Sequence, residues 1–150
     1  MSQSRPAAMS AREINAFLEC EFPQIHQDGR AFTVETAEHG VARMRMAYQE
    51  RFLRPGATIS GPAMFTLADL AMYAAVLSAI GPRAQAVTVN LSINFLRRPG
   101  PRDMIADARL LKLGKRLAIG EIALHSDGED DLAAHATATY SIPLFHPDQK

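Results

Sequence analysis

The sequence predicts an α+β fold in which an antiparallel β-sheet wraps around one long central α-helix. Three observations predict it. The stretch "GPAMFTLADLAMYAAVLSAIG", Gly61 to Gly81, is apolar on every face apart from one acid, Asp69, and a helix apolar all round has to be buried. The runs "AVTVNLSINFL" (86–96) and "LAAHATATYSI" (132–142) alternate apolar and polar residues, the period of a strand with one covered face. The element order is helix, two strands, helix, four strands, without the regular β-α alternation of a doubly wound parallel sheet. The sheet's apolar face needs a partner and the helix needs cover, so each supplies what the other lacks.

Taken in order, Ser10 before "AREINAFLECEF" reads as the N-cap of an amphipathic helix over about 10–21, with Ile14, Phe17 and Leu18 on one face. "AFTVETAEHGVARMRMAYQ" (31–49) reads as two strands broken at Gly40, a hairpin. "RPGATISGP" (54–62) is loop punctuation, and the central helix starts near Gly61 with Pro62 suited to its first turn. In 86–96, Val87, Val89, Leu91, Ile93 and Phe95 are expected to face the core, with Thr88, Asn90, Ser92 and Asn94 on the polar side. Further strands are expected at about 104–113, 116–126 and 132–142, with "LGKR" and "SDGEDD" as the turns between them. In the last, Leu132, Ala134, Ala136, Ala138, Tyr140 and Ile142 share the apolar face. No repeat or linker divides the chain, so 1–150 reads as one domain with a loose tail, "HPDQK".

The 150 residues balance sixteen basic against sixteen acidic side chains, so no global field recruits nucleic acid or anionic lipid. Cys20 is the only cysteine, which gives no disulfide framework and suits a reducing compartment. The first twenty residues lack the apolar core of a signal peptide, and the expected location is the cytoplasm. Gly61–Gly81 is long enough to span a bilayer, but Asp69 would cost roughly 2.5–3.5 kcal/mol there on insertion scales. No aromatic belt or cationic flank brackets the segment. A core helix is the better reading. The histidines at 26, 39, 125, 135 and 146 have no metal-ligand spacing, and no Gly-x-Ser-x-Gly elbow, phosphate loop or dinucleotide fingerprint is present.

The element order, together with "SGPAMFTLADLAMYAA", "VTVNLSINFLRRP" and "LLKLGKRLAIGEIAL", resembles the hotdog-fold acyl-CoA thioesterases of the PaaI type from about Arg54 to Ile142. That family's pattern reads His-Gly-Gly, then a helix bearing a carboxylate eight residues after the first glycine. Gly61 and Asp69 keep the spacing, and "LAD" is the family's common wording around the acid. The histidine falls on Ser60, the second glycine on Pro62, and a polar residue six positions before the histidine, commonly Asn, falls on Arg54. The Thr or Ser that assists from the following strand falls on Thr88. The resemblance implies hydrolysis of an acyl-CoA to a carboxylic acid and CoA, with no metal or redox cofactor. It implies a homodimer, or a dimer of such dimers, with the sheet extended and each site at the interface. The carboxylate would come from one subunit and Thr88 from the other.

Each candidate has a plainer reading. Asp69 serves as general base, as nucleophile, or as an acid satisfied by a neighbour at a helix contact. Gly61 offers its backbone N–H to the thioester oxygen beside the positive end of the helix dipole, or simply starts the helix. Pro62 has no N–H, so this helix start offers one donor fewer. Ser60 is an N-cap or faces the acyl carbonyl. Arg54 contacts substrate, pairs with an acid or lies exposed. Thr88 orients water or Asp69, or is an ordinary β-favoured residue. Lys115 and Arg116 after Gly114 are candidates for the CoA phosphates, as are Arg97 and Arg98, or they are solvated turns. The rival to catalysis is an acyl-CoA or lipid-binding hotdog protein, raised by the changes at Arg54, Ser60 and Pro62. A hotdog hydratase would want an acid–histidine dyad in an Asp-x-x-x-x-His run, and the helix acid Asp69 has Ala74, not a histidine, at that spacing.

Overall fold

The computed structural model describes residues 5–144; the tail "HPDQK" lies outside them. Ser10 opens helix α1 (Ala11–Glu21) through a reciprocal capping box with Glu13, which satisfies two otherwise orphaned N–H groups. Ile14 and Leu18 are buried and Phe17 packs half-covered against the same core. A short 3₁₀ turn, Pro23–His26, follows. The hairpin is β1 (Phe32–Glu38) and β2 (Val41–Met46), turning at Gly40, whose φ of 73° suits a residue without a side chain. The stretch 54–62, expected as loop, contains most of a two-strand ladder: β3 (Leu53–Arg54) pairs with β4 (Thr58–Ile59). Helix α2 (Gly61–Ile80) is followed by β5 (Val87–Phe95), β6 (Met104–Leu113), β7 (Leu117–Ser126) and β8 (Ala134–Ser141).

Six strands form one antiparallel sheet in the order β1-β2-β6-β7-β8-β5. Helix α2 lies across its concave face and packs against every strand of it. Of the helix's apolar stretch, 72% is buried inside the chain, so a segment long enough to cross a bilayer is instead the core. Alanines at 68, 71, 74 and 75, all fully covered, let the sheet approach closely. Gly120 of β7 sits directly beneath Met72. Ser78, buried in the helix, accepts from the Gly40 N–H and donates to Ala75 O, which ties the hairpin turn to the core.

Two expectations about faces need correction. Leu132 precedes β8 and is 37% exposed, while Ala134, Ala136, Ala138, Tyr140 and Ile142 are buried. In β5 the predicted apolar face is kept at Leu91 and Ile93 but not at Val87 and Val89, which are 58% and 60% exposed. The reason is a β-bulge. Thr88 pairs with Tyr140 and Asn90 with Thr139, so Val89 has no partner in the register. One extra residue inverts the alternation on either side of it. Beyond the bulge Leu91 and Ile93 pack on the core. Before it, Thr88 turns inward and Val87 outward.

The two edges of the sheet differ. On β1, Asn15 of α1 donates Nδ2–H to Val34 O at 2.9 Å and accepts from Val34 N at 2.8 Å, so a side chain occupies the edge. On β5 no such cover exists among the described residues, and nine residues present an open edge.

Candidate active site

Asp69 sits just before the middle of α2, half-buried, on the side facing the start of β5 and the end of β8. Its Oδ1 accepts two hydrogen bonds, from Thr88 Oγ1 at 2.6 Å and from the Tyr140 hydroxyl at 2.6 Å. Both are at the short end for O–H···O hydrogen bonds. Thr88 reaches the acid only because the Val89 bulge turns it inward. The resemblance implied a carboxylate in one subunit and the assisting threonine in the other; here Thr88 serves Asp69 of its own chain. Oδ2 has no hydrogen-bond partner among the described residues.

The sequence pattern does not mark Tyr140 as a site residue. It is 3% exposed, and its hydroxyl also lies 3.0 Å from the Asp69 backbone oxygen. Burial, then the Asp69 charge, pushes its phenol far above the usual range, so it stays neutral and donates. Its ring stacks on Tyr73 with centroids 6.1 Å apart. Tyr73 in turn donates to Ala84 O at 2.9 Å, and burial pushes it up to about 12 with Glu21 adding a smaller push. A usable signal exists: a tyrosine on a buried face needs a partner for its hydroxyl, and Asp69 is the acid on the facing helix.

A cleft of about 380 Å³ opens beside the acid, lined by Phe22, Leu70, Tyr73, Ala86, Val87, Thr88 and Tyr140 with Asp69 at its wall. Phe22, the C-cap of α1, meets Tyr73 edge-on at 6.5 Å. An apolar wall with a few convergent polar groups is the usual form of a small-molecule site.

The other candidates lie elsewhere. Ser60 is the N-cap of α2 and accepts from Ala63 N at 3.2 Å. Gly61 is the first helical residue. Its N–H has no partner among the described residues, Pro62 has none to offer, and Ala63 N is taken by Ser60. The one open donor at this helix start therefore belongs to Gly61. Eight residues of helix separate it from Asp69, about 12 Å at 1.5 Å per residue. One carbonyl cannot touch both in the same chain. Arg54 is exposed in the small β3–β4 ladder. Gly114, Lys115 and Arg116 form the exposed β6–β7 turn, closed by Gly114 N to Leu117 O at 2.8 Å. Leu117, Ser141 and Val87 lie in one row across β7, β8 and β5. That row puts the turn at the same end of the sheet as Thr88, two strand spacings away, about 10 Å. Arg97 pairs with Asp131 at 3.1 Å, and Arg98 is exposed with it at the far end of β5. Among the described residues no cluster of His, Cys, Asp or Glu could hold a metal ion.

The model of the thioesterase superfamily matches residues 56–133, from before α2 to the residue preceding β8. A Saccharolobus solfataricus protein carrying a provisional esterase name is 30% identical over 108 residues, which are 72% of this chain and 71% of that one. The crystal structure of a provisionally named thioesterase from Silicibacter sp. TM1040 is 46% identical, covers 94% of this chain and 96% of its own, and superposes with a TM-score of 0.83. A mutant of the phenylacetic acid degradation protein PaaI from Thermus thermophilus shares the fold, with a TM-score of 0.67 at 22% identity over 85% of this chain and 99% of its own. The matched residues include α2 with its acid and the bulged strand that reaches it, and on that footing the chain belongs to the thioesterase superfamily, thioester hydrolases, with the PaaI-like hotdog fold.

Proposed function

We propose that this protein is an acyl-CoA thioesterase, releasing a carboxylic acid and free CoA. The observation that carries the reading is the Asp69 carboxylate, held by two short hydrogen bonds on one oxygen and open at the other beside an apolar cleft. As general base, Asp69 takes a proton from water as the oxygen attacks the thioester carbon. As nucleophile, its own oxygen attacks, the CoA thiolate leaves, and water then hydrolyses the mixed anhydride. In both routes the carbonyl oxygen becomes anionic and needs a donor.

Gly61 N–H is the candidate for that donor, and the distance along α2 requires it to come from a second copy. The arrangement of β5 supports such a pair. Thr88 and Asp69 lie at its start, while the Phe95 ring at its end packs on Gly61, where an added Cβ would approach to 3.3 Å. Antiparallel pairing of the open β5 edge with its copy about Leu91 brings the start of one strand beside the end of the other. Gly61 of each copy then faces the Asp69 cleft of its partner. A long, apolar, uncovered edge is the kind of surface that pairs. The aromatic wall of the cleft would hold the acyl group, and Lys115 and Arg116 the CoA phosphates. Neither role calls for a metal or redox cofactor, a nucleic acid or a membrane. A lone, exposed thiol at Cys20 and a CoA substrate fit the reducing cytoplasm.

The test is release of free thiol from a panel of acyl-CoAs. We expect turnover of at least one, and a loss of roughly 10²–10⁴ in kcat/KM for Asp69→Asn, the range general-base groups contribute. Tight calorimetric binding of acyl-CoA with no turnover would instead identify a binding protein, the reading that Pro62 and Arg54 raise.

A further inference from the structure

We infer that Tyr140 is a positioning residue of the reaction: with Thr88 it fixes Oδ1 of Asp69, so that Oδ2 is the oxygen presented to water or thioester. The inference rests on the thioesterase reading for what Oδ2 acts on, and on geometry alone for how it is held. A carboxylate turns freely about its last torsion unless something fixes it. Here two hydroxyls from neighbouring strands, Thr88 of β5 and Tyr140 of β8, are direct cross-strand partners and converge on the same oxygen at 2.6 Å each. The carboxylate plane is set by the sheet rather than by the helix that carries it. Tyr140 is itself immobilised by burial and by its stack on Tyr73, which is anchored to Ala84 O.

The surroundings make this pair of hydroxyls decisive. The titratable side chains lining the cleft beside Asp69 are Tyr73 and Tyr140; no cation and no second acid lines it. From β2, β6 and β7, the residues under α2 are apolar: Met44, Met46, Ala106, Ala108, Ala118, Ile122 and Leu124. Glu21 at the end of α1 acts on Tyr73. With no cation in the cleft, the hydrogen bonds the Asp69 carboxylate receives come from the hydroxyls of Thr88 and Tyr140.

Tyr140→Phe keeps the ring, its volume and its stack, and removes one donor. We expect kcat to fall roughly 10–100-fold, the scale of a misaligned catalytic group, with KM nearly unchanged. The acid limb of the kcat/KM profile should move to higher pH, because losing a donor to a carboxylate favours its protonated form. Thr88→Val should act in the same direction. The double variant should lose less than the product of the two, since both bonds share one oxygen. A purely structural role predicts a lower melting temperature and an unmoved acid limb; that result, or wild-type kcat in Tyr140→Phe, overturns the inference. If no acyl-CoA is turned over by the unmodified protein, the acyl-CoA reading falls separately. Titration of the Asp69 carboxyl carbon by NMR then decides this one: a rise on Tyr140→Phe supports it and no change defeats it.

Discussion

A methyl group at position 120 would lie 2.7 Å from the Met72 sulfur and 2.8 Å from the Arg109 carbonyl oxygen, and the second is backbone that cannot swing aside. Gly120→Ala should therefore destabilise the protein by about 1–3 kcal/mol, the usual penalty of overpacking, read from the midpoint of urea unfolding. At the same scale, Asp69 and Gly61 were legible in the sequence, because an acid in an apolar helix and a glycine at its start stand out against their neighbours. Ser60 was legible as a cap for the same reason. Tyr140 was not. Nothing in its own strand distinguishes it from a core aromatic; its meaning depends on Asp69, which lies 71 residues away along the chain.

Among the elements, β5 carries the largest surprise. Its alternation is the cleanest in the sequence, and it predicts the wrong face for Thr88 because a single unpaired residue reverses the count. Deleting Val89 removes the bulge but leaves Thr88 opposite Tyr140, since with Leu91 inward and Asn90 outward plain alternation again turns residue 88 inward, so most thioester hydrolysis should survive. The circular dichroism spectrum should stay that of the folded protein, since Leu91 and Ile93 keep their pairing with Ala138 and Ala136. Lost activity would show that the bulge does more than choose the face of Thr88. The remaining elements were readable to within a residue or two, since α2, β6, β7 and β8 are set by burial on one face. The β3–β4 ladder is invisible to pattern because two-residue strands leave no periodicity to read, and Gly56 at φ 99° and Ala57 at φ 56° mark only a tight turn.

For the whole molecule, the proposed roles of Gly61 and Asp69, about 12 Å apart along α2, call for a second chain. Mixing two inactive variants tests it. Asp69→Asn removes the base, and Gly61→Pro removes the N–H at a position where proline is tolerated. If each site draws its acid from one chain and its donor from the other, refolded mixtures regain activity, because one site of each heterodimer keeps both groups. If both groups come from one chain, every site in the mixture is defective and activity stays absent. The overall plan, a sheet around a helix, was legible from hydrophobic pattern and element order. Which sheet edge is open was not, since that depends on a tertiary contact.

That contact, Asn15 gripping the amide and carbonyl of Val34, sets a stoichiometry. A sheet with two free edges has no reason to stop adding copies, and strand-by-strand growth of that kind ends in fibrils. With the amide and carbonyl of Val34 already taken on the β1 edge, the proposed pairing through β5 covers the other edge. The assembly then terminates itself: two six-stranded sheets joined into one, a site for each copy and no valence left over. On the proposed pairing, a single amide side chain on the N-terminal helix helps keep the assembly finite.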